Sequence, residues 1–332
     1  MPLSEPTADG GFRVPGACPA GIGQTFVWPV ALPGGRVTLM AERRGQVRRF
    51  DARTGEHAGD PWHVSPYGCA AAAVPDGRTI VVFGGEDGIA RYDIVSSAAY
   101  QPTAAEQPCI IWDVATATLP SGRAVIAGAG HDGLLYRWDA ATGGPVGEPL
   151  QRHHASVKAI TTAVSGDGTP MFVSGCEKGD VLRCDAATGA PLGAPLTGTI
   201  DEVSQLTVVS LPSGGQILAC VDAGALHRWD LTTSEPLGPP AAVGRWGYLV
   251  GSGTEADGTP TVFLWLPGEG DDEDAVERVE QWRLDTGERV DVSLPVTVRA
   301  VFDQDGAAWM VLDDPDGALI VRSLSPSGAG PG

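Results

Sequence analysis

The sequence is poor in the features that mark several large protein classes. Its 332 residues contain no apolar run near the roughly 18–20 residues that span a bilayer, and the first twenty lack the basic start and apolar stretch of a signal peptide. Only two of its 22 basic residues are lysine, and 41 acidic residues give a formal net charge of −19. This charge disfavours nucleic-acid and anionic-membrane surfaces. We therefore expect a cytoplasmic protein that binds neither nucleic acid nor a membrane.

Signatures of catalysis and metal binding are also missing. The sequence has no GxSxG, no HExxH and no glycine-rich phosphate loop, and its six cysteines form no CxxC pair. Cys69 and His63 are the nearest approach to a nucleophile and base, a coincidence that is common in sequences. The adjacent His153 and His154 resemble a metal pair, but neighbours on an extended strand point in opposite directions. We expect no catalytic residue, no metal and no cofactor.

Glycine (46 residues) and proline (27) are abundant, which disfavours long helices, while 42% hydrophobic residues can form a core. A segment related to RWDAATG recurs along the chain. The residues at its aspartate position are spaced by 42, 46, 46, 45, 53 and 40. That period is typical of a four-stranded propeller blade. The positions are Asp51, Asp93, Asp139, Asp185, Asp230, Arg283 and Ser323.

Each repeat contains short β runs separated by turn signals. In residues 157–195 the pattern predicts four strands with no helical periodicity. The turn before the third strand keeps a glycine, which permits the positive φ of a tight hairpin. These glycines are Gly45, Gly88, Gly133, Gly179, Gly224 and Gly317. In the D-x-x-T-G element that follows the third strand, we expect the Asp or Thr side chain to bond its own backbone.

These residues resemble the WD40-repeat propellers of the type common in actinobacteria. The resemblance rests on Trp138-Asp139, Trp229-Asp230, the turns after them and the GEPL and GAPL stretches, and it covers about residues 26–324. The family has a His–Ser/Thr–Asp–Trp hydrogen-bonded tetrad, of which no repeat here visibly keeps all four members. His153 and Ser174 match two of the positions, whereas Lys178 and Cys184 replace the other two.

The resemblance and the repeat count predict an all-β fold, a seven-bladed propeller of four-stranded antiparallel blades. The last repeat shows three strands, and FRV (12–14) supplies a plausible fourth, so we expect the N-terminal strand to close the last blade. Residues 1–332 would form one monomeric domain, with a closing segment at 1–16 and a flexible tail at 325–332.

Residues repeated in every blade are expected to be structural. The arginines that precede the aromatic residue or Cys of the third strand suggest an anion-binding ring, but five symmetric copies favour a role that each blade needs. We expect them to be buried between blades and bonded to protein acceptors. They are Arg49, Arg91, Arg137, Arg183 and Arg228. Trp138, Trp229 and Trp282 are predicted core residues.

Function is expected where the repeat is broken. Three loops with exposed-looking aromatics, 61–68, 98–108 and 241–248, would open on one face near acidic turns, and an acidic run lies at Glu269–Asp274. Such a face favours a protein or basic peptide, bound without catalysis. The candidate residues are Trp62, His63, Tyr67, Tyr100, Arg245 and Trp246. For Trp62 and Trp246, capping of the blade ends is an equal alternative.

A second hypothesis belongs to a different functional class. The protein could bind a small molecule, or act as an enzyme, at the mouth of a central channel. Asp113, Lys158 and Arg299, all on predicted first strands, are the candidate residues for such a site. A buried pocket with converging polar groups and shifted pKa values would favour this second hypothesis.

Overall fold

The computed structural model describes most of the repeated region as β-strands. It covers residues 5–6, 12–14, 26–32, 35–100, 109–199, 201–222, 224–243, 247–255, 257–267, 278–294, 298–304, 307–313 and 318–324. Within these ranges the chain is all-β with no helix, and hence with no helix that could cross a membrane.

The strands are short and follow one another along the chain. In order they are β1 (Glu5–Pro6), β2 (Phe12–Val14), β3 (Phe26–Ala31), β4 (Val37–Arg43), β5 (Gln46–Asp51), β6 (Trp62–His63), β7 (Gly68–Ala73), β8 (Thr79–Gly85), β9 (Gly88–Asp93), β10 (Ala99–Tyr100), β11 (Ile111–Thr118), β12 (Ala124–Gly130), β13 (Leu134–Asp139), β14 (Leu150–Gln151), β15 (Val157–Val164), β16 (Pro170–Cys176), β17 (Val181–Asp185), β18 (Leu206–Ser210), β19 (Gln216–Asp222), β20 (Ala225–Asp230), β21 (Ala241–Ala242), β22 (Tyr248–Thr254), β23 (Pro260–Leu266), β24 (Arg278–Arg283), β25 (Arg289–Leu294), β26 (Val298–Gln304), β27 (Ala307–Asp313) and β28 (Leu319–Ser323).

Consecutive strands pair as antiparallel hairpins. In the described residues, four sheets have four strands each, namely β3–β6, β7–β10, β11–β14 and β18–β21. The sheet β15–β17 has three strands, and a bridge from Val181 to Leu196 continues it at the β17 edge. Repeated four-stranded antiparallel sheets therefore confirm the coarse architecture predicted from the sequence.

The remaining strands form one sheet in the order β1-β2-β28-β27-β26-β22-β23-β24-β25. Its two halves meet at a single parallel bridge, Gly251 to Val301. Gly251 has φ of 151°, and a Cβ there would lie 2.0 Å from the Val301 carbonyl oxygen, so the bridge requires glycine. Towards the other edge, β2 pairs with β28, with Phe12 opposite Val321, and β1 follows as the edge strand.

Contacts divide the chain into two compact units. Unit 1 comprises residues 1–65, 250–283 and 289–332, and unit 2 comprises 66–249 and 284–288. Inside each unit, neighbouring sheets pack on one another. In unit 1, Leu39 and Phe50 pack with Phe302 and Val321.

In unit 2 the sheets are packed on both faces. The middle strand β12 is buried along its whole length, since each of its faces contacts a neighbouring sheet. Trp138, Trp229 and, in unit 1, Trp282 are buried as predicted.

The D-x-x-T-G element folds as the sequence predicts. Asp139 accepts hydrogen bonds from the Thr142 backbone N–H at 2.9 Å and from its hydroxyl at 3.0 Å, and the Gly143 N–H bonds the Asp139 carbonyl. Gly143 has φ of 77°, the left-handed region where glycine is free of strain. Positive φ also holds at the third-strand glycines Gly45, Gly88, Gly133, Gly179 and Gly224, while Gly317 lies outside the described residues.

The third-strand arginines of unit 2 bond the turn of the following repeat. In unit 2 the guanidinium of Arg91 donates to the Ala140 carbonyl at 3.1 Å, and that of Arg137 to the Ala187 carbonyl at 2.9 Å. Arg228 likewise donates to Leu284 at 2.9 Å. Burial lowers the pKa of these arginines, as for Arg49 and Arg183. Arg49, Arg91, Arg137 and Arg228 are buried as expected, whereas Arg183 is half-buried and Arg49 donates to the Asp60 carbonyl of its own repeat at 3.1 Å.

Candidate functional site

An aromatic pair lies at the surface of unit 2. The pairing of β11 with β12 shifts register between Ile111 and Asp113, and Trp112, at this irregularity, is partly exposed while Ile111 is buried. Tyr67, just before β7, is 42% exposed and lies against Trp112, with 4.9 Å between ring centroids. Neighbouring sheets therefore place two aromatic rings together where solvent can reach them.

Polar groups of its own sheet and of the next sheet fix the orientation of Trp112. Its indole Nε1–H lies 3.1 Å from Ser156 Oγ and 3.3 Å from His131 Nδ1. The Lys158 ammonium stands over the indole, 4.4 Å from the ring centroid, which is a cation–π contact. The ring is held in place, so a ligand that contacts it would lose little additional side-chain entropy.

One acidic side chain contacts the aromatic pair, and further acidic residues are exposed in the hairpin turns of the same sheet and of the next two. The Tyr67 hydroxyl donates to Glu86 Oε1 at 3.1 Å, and desolvation together with this bond raises the pKa of Tyr67. Glu86 and Asp87, in the turn between β8 and β9, are exposed. The corresponding turns of the next two sheets expose Asp132 and Glu177. The acidic aromatic surface, as we call Tyr67, Trp112, Glu86, Asp87, Asp132 and Glu177, offers both apolar area and negative charge.

Asp113 lies beside this surface but is engaged by the backbone. One carboxylate oxygen accepts from the Val114 N–H at 2.8 Å and the other from the Ile160 N–H at 3.0 Å, which links β11 to β15. Burial raises its pKa to about 7. A Cβ at Gly68 would lie 2.5 Å from Asp113 Oδ1, so the approach of β7 requires glycine.

The structure corrects the predicted exposure of Trp62. Only 5% of this residue is exposed, because the Arg49 guanidinium covers the ring at 4.0 Å from its centroid. Trp62 is therefore part of the core of unit 1, and of the two alternatives in the sequence it is the capping one that fits. His63, the next residue of β6, is exposed.

Tyr100 is half-buried at the end of β10. The Arg78 and Arg91 guanidinium carbons lie 5.3 and 5.4 Å from its ring centroid, and Arg78 donates to the Tyr100 hydroxyl. Two cations of the chain itself thus occupy its ring faces. This arrangement reduces the area that Tyr100 can offer to a partner.

Other predicted site residues cannot be assigned to this surface. Arg245, Trp246 and Glu269–Asp274 lie outside the described residues, as do 101–108. Arg299 is half-buried on β26 in unit 1, whereas Asp113 and Lys158 belong to unit 2.

No described cysteine is positioned as an activated nucleophile. Burial, and secondarily the negative charge of Asp113, raise the pKa of Cys69 far above its ordinary value. Burial also raises the pKa of Cys109, Cys176, Cys184 and Cys220. A thiol in this state is a poor nucleophile at neutral pH.

No family model matches this sequence, and no curated protein matches it.

The acidic aromatic surface includes residues that the loop-based search of the sequence did not select. Trp112, His131 and Ser156 come from a first strand, a hairpin turn and the entry to another first strand. Period-2 alternation could not have identified Trp112, because β11 shifts register at this residue and burial does not alternate along the start of the strand. The arrangement suits recognition by stacking and by charge.

Proposed function

We propose that the chain is a WD40-type propeller of seven blades, closed by its N-terminal strand, that binds a protein or basic peptide without catalysis. The repeat period, the four-stranded sheets and the pairing of β2 with β28 support the fold part of the proposal. The exposed Tyr67–Trp112 pair is the observation that carries the functional part.

Aromatic rings and acidic groups recognise different parts of a basic peptide. Tyr and Trp supply contact area with few rotamers to freeze, and they are enriched at interface hot spots. The chain's own Lys158 already stands over Trp112, so a cation of the partner would be bound by the acidic groups rather than at that position on the ring. A lysine or arginine of the partner would find Glu86 and Asp87 close by, so association should be steered by charge and weakened by salt. The net charge of −19 favours the same class of partner.

The second candidate, a small-molecule binder or enzyme that uses Asp113, has one observation in its favour. A carboxylic acid with a pKa of about 7 can exchange protons near neutrality. However, both of its oxygens already accept backbone hydrogen bonds. We therefore rank peptide binding first.

The test uses the full chain and a defined probe set. A library of fluorescent octapeptides with varied Lys and Arg content is screened at low salt, and the strongest ligand is then titrated by fluorescence anisotropy. We expect Tyr67→Ala and Trp112→Ala each to weaken binding by about 10–100-fold, the range of about 1–3 kcal/mol that is usual for hot spots.

Tyr248→Ala is the matched control, because Tyr248 is similarly exposed (48%) on β22 and lies outside the acidic aromatic surface. Glu86→Gln should reduce affinity more at low salt than at high salt. If no basic peptide binds, or if Tyr67→Ala and Trp112→Ala bind as the unmodified chain does, the proposed function is wrong.

A further inference from the structure

Three potential metal ligands converge at one end of the sheet β15–β17. A ring nitrogen of His153, the Cys176 thiol and a carboxylate oxygen of Asp180 all lie within 4.8 Å of one another. Cys176 ends β16, Asp180 lies in the tight turn that leads to β17, and His153 precedes β15. The Cys176 thiol and Asp180 Oδ2 are 3.8 Å apart. None of the three residues is a member of the acidic aromatic surface.

His153 has an unsatisfied polar atom in a buried place. Only 3% of the residue is exposed, and its Nε2 lies 2.8 Å from Ser174 Oγ. Among the described residues, the other ring nitrogen, Nδ1, is buried and has no hydrogen-bond partner. A buried nitrogen without a partner is costly, so a ligand bound at Nδ1 would remove this cost.

The surroundings of the cluster support its use as a ligand set. The Ser174 hydroxyl orients the imidazole through Nε2, as second-shell partners of metal-bound histidines do. The Lys178 backbone N–H points at the Cys176 sulfur at 3.4 Å. The turn from Cys176 to Asp180 is closed by a backbone hydrogen bond of 3.2 Å and by Gly179, whose φ is 83°. This turn keeps two of the three donors together.

The same residues break the internal repeat. Pairing places Val157 opposite Cys176 and, in the preceding sheet, Ile111 opposite Gly130. Cys176 therefore stands where the neighbouring sheet has glycine. Counted from the turn glycines Gly179 and Gly133, Asp180 stands where that sheet has leucine. A structural role common to all sheets does not explain these donors.

We propose that His153, Cys176 and Asp180 bind a divalent transition-metal ion of the zinc class. Imidazole, thiolate and carboxylate are the ligands of protein zinc sites, and three of them leave a fourth tetrahedral position for water or a partner. Tetrahedral coordination needs donor separations of about 3.3–3.8 Å, so none of these donor distances has to shorten by more than about 1.5 Å. Asp180 is half-exposed and gives the ion a route in.

The probe is Co²⁺ added to the chelator-stripped full chain under a non-coordinating reductant, followed by Zn²⁺ in competition. We expect one equivalent of Co²⁺ to bind with a thiolate charge-transfer band and with visible bands of tetrahedral intensity, which Zn²⁺ then removes. Zn²⁺ should also raise the melting temperature. Asp180→Asn and Cys176→Ser should each weaken Co²⁺ binding at least tenfold, and Cys176→Ser should also abolish the charge-transfer band.

The controls remove the same chemical groups elsewhere in this sheet. Asp167→Asn changes an exposed aspartate in the β15–β16 turn, and Cys184→Ala removes another buried thiol. Both should bind Co²⁺ as the unmodified chain does. If Cys176→Ser does not fold, Asp180→Asn alone decides. Failure to bind Co²⁺, or equal binding in Asp180→Asn, overturns the proposal.

Discussion

At the scale of single residues, Asp113 bonds two strands, but it is buried where its negative charge is unfavourable. Its two oxygens hold the backbones of β11 and β15, while burial raises its pKa from 3.8 to about 7. Between about pH 4 and pH 7, Asp113 is therefore protonated in the folded protein and ionised in the unfolded chain. Stability from this group is greatest below that window and is lost as the pH rises through 7.

We expect the free energy of unfolding to fall between pH 5 and pH 8 more steeply in the unmodified chain than in Asp113→Asn. Asparagine keeps one acceptor and costs stability at both pH values, but it does not ionise. Urea unfolding at the two pH values measures this difference. Parallel pH profiles for the two proteins would show that Asp113 does not titrate in this window.

Trp62 is a buried core residue, whereas Trp112 lies at the surface, so the two tryptophans should contribute differently to stability. Trp62→Ala should lower the free energy of unfolding by about 3 kcal/mol or more, because it removes a buried ring and the support of Arg49. Trp112→Ala, at a half-exposed position, should cost clearly less. Chemical denaturation of both variants is the measurement, and equal losses would contradict the assignment of Trp62 to the core.

At the scale of elements, the Arg91 side chain bonds the sheet β7–β10 to the next sheet, β11–β14. The Arg91 guanidinium also donates to the Thr142 carbonyl at 3.1 Å, and it lies so close to the turn that a Cβ at Gly143 would approach Arg91 Nη2 to 2.1 Å. Glycine at this position therefore both permits the left-handed backbone and leaves room for the Arg91 guanidinium.

Arg137→Ala should lower the free energy of unfolding by about 2 kcal/mol or more, since it removes a charged donor that is only 7% exposed and leaves the Ala187 carbonyl without it. Arg123→Ala is the control. Arg123 pairs with Asp139 at the surface, where loss of an ion pair costs about 1 kcal/mol or less. Thermal and urea unfolding distinguish the two, and a cost for Arg137→Ala as small as the control's would refute the structural role.

Strands and turns were predictable from the sequence because the repeated segments can be compared with one another. The comparison shows which positions keep the same type of residue and which vary. The burial of Trp138 and the left-handed Gly143 follow from such local patterns. The candidate site was less predictable. Trp62 is covered by Arg49 from the adjacent strand, and Trp112 meets Tyr67 from another sheet, and neither contact leaves a trace in local sequence. His153, Cys176 and Asp180 likewise meet only through the pairing of strands.

At the scale of the whole chain, its two ends share one sheet. β2 adds to β28 at the edge, with Arg13 opposite Ile320 and Val14 opposite Leu319. Without β2, the backbone groups of β28 on that side would be unpaired and open to association. Because β27 and β28 also contribute to the core of unit 1, damage at this edge should reach the sheet β3–β6.

Deletion of residues 1–16 should lower the melting temperature and promote aggregation, whereas deletion of residues 1–4, which precede both β1 and β2, should do neither. Differential scanning calorimetry and light scattering measure the two effects. A truncated 17–332 chain that melts like the full chain and stays monodisperse would show that β2 contributes little.

The arginine-to-turn bond has a consequence for how such a gene can grow. In unit 2 the repeats β11–β14, β15–β17 and β18–β21 carry both partners of this bond, the donor on the third strand and the acceptor in the turn, but they use each one with a different neighbour. If a repeat were duplicated in tandem, the turn of the new copy could accept the arginine of the repeat before it. The arginine of the new copy could likewise donate to the turn of the repeat after it. Unequal recombination would then create new junctions that are already bonded, before any selection has refined them.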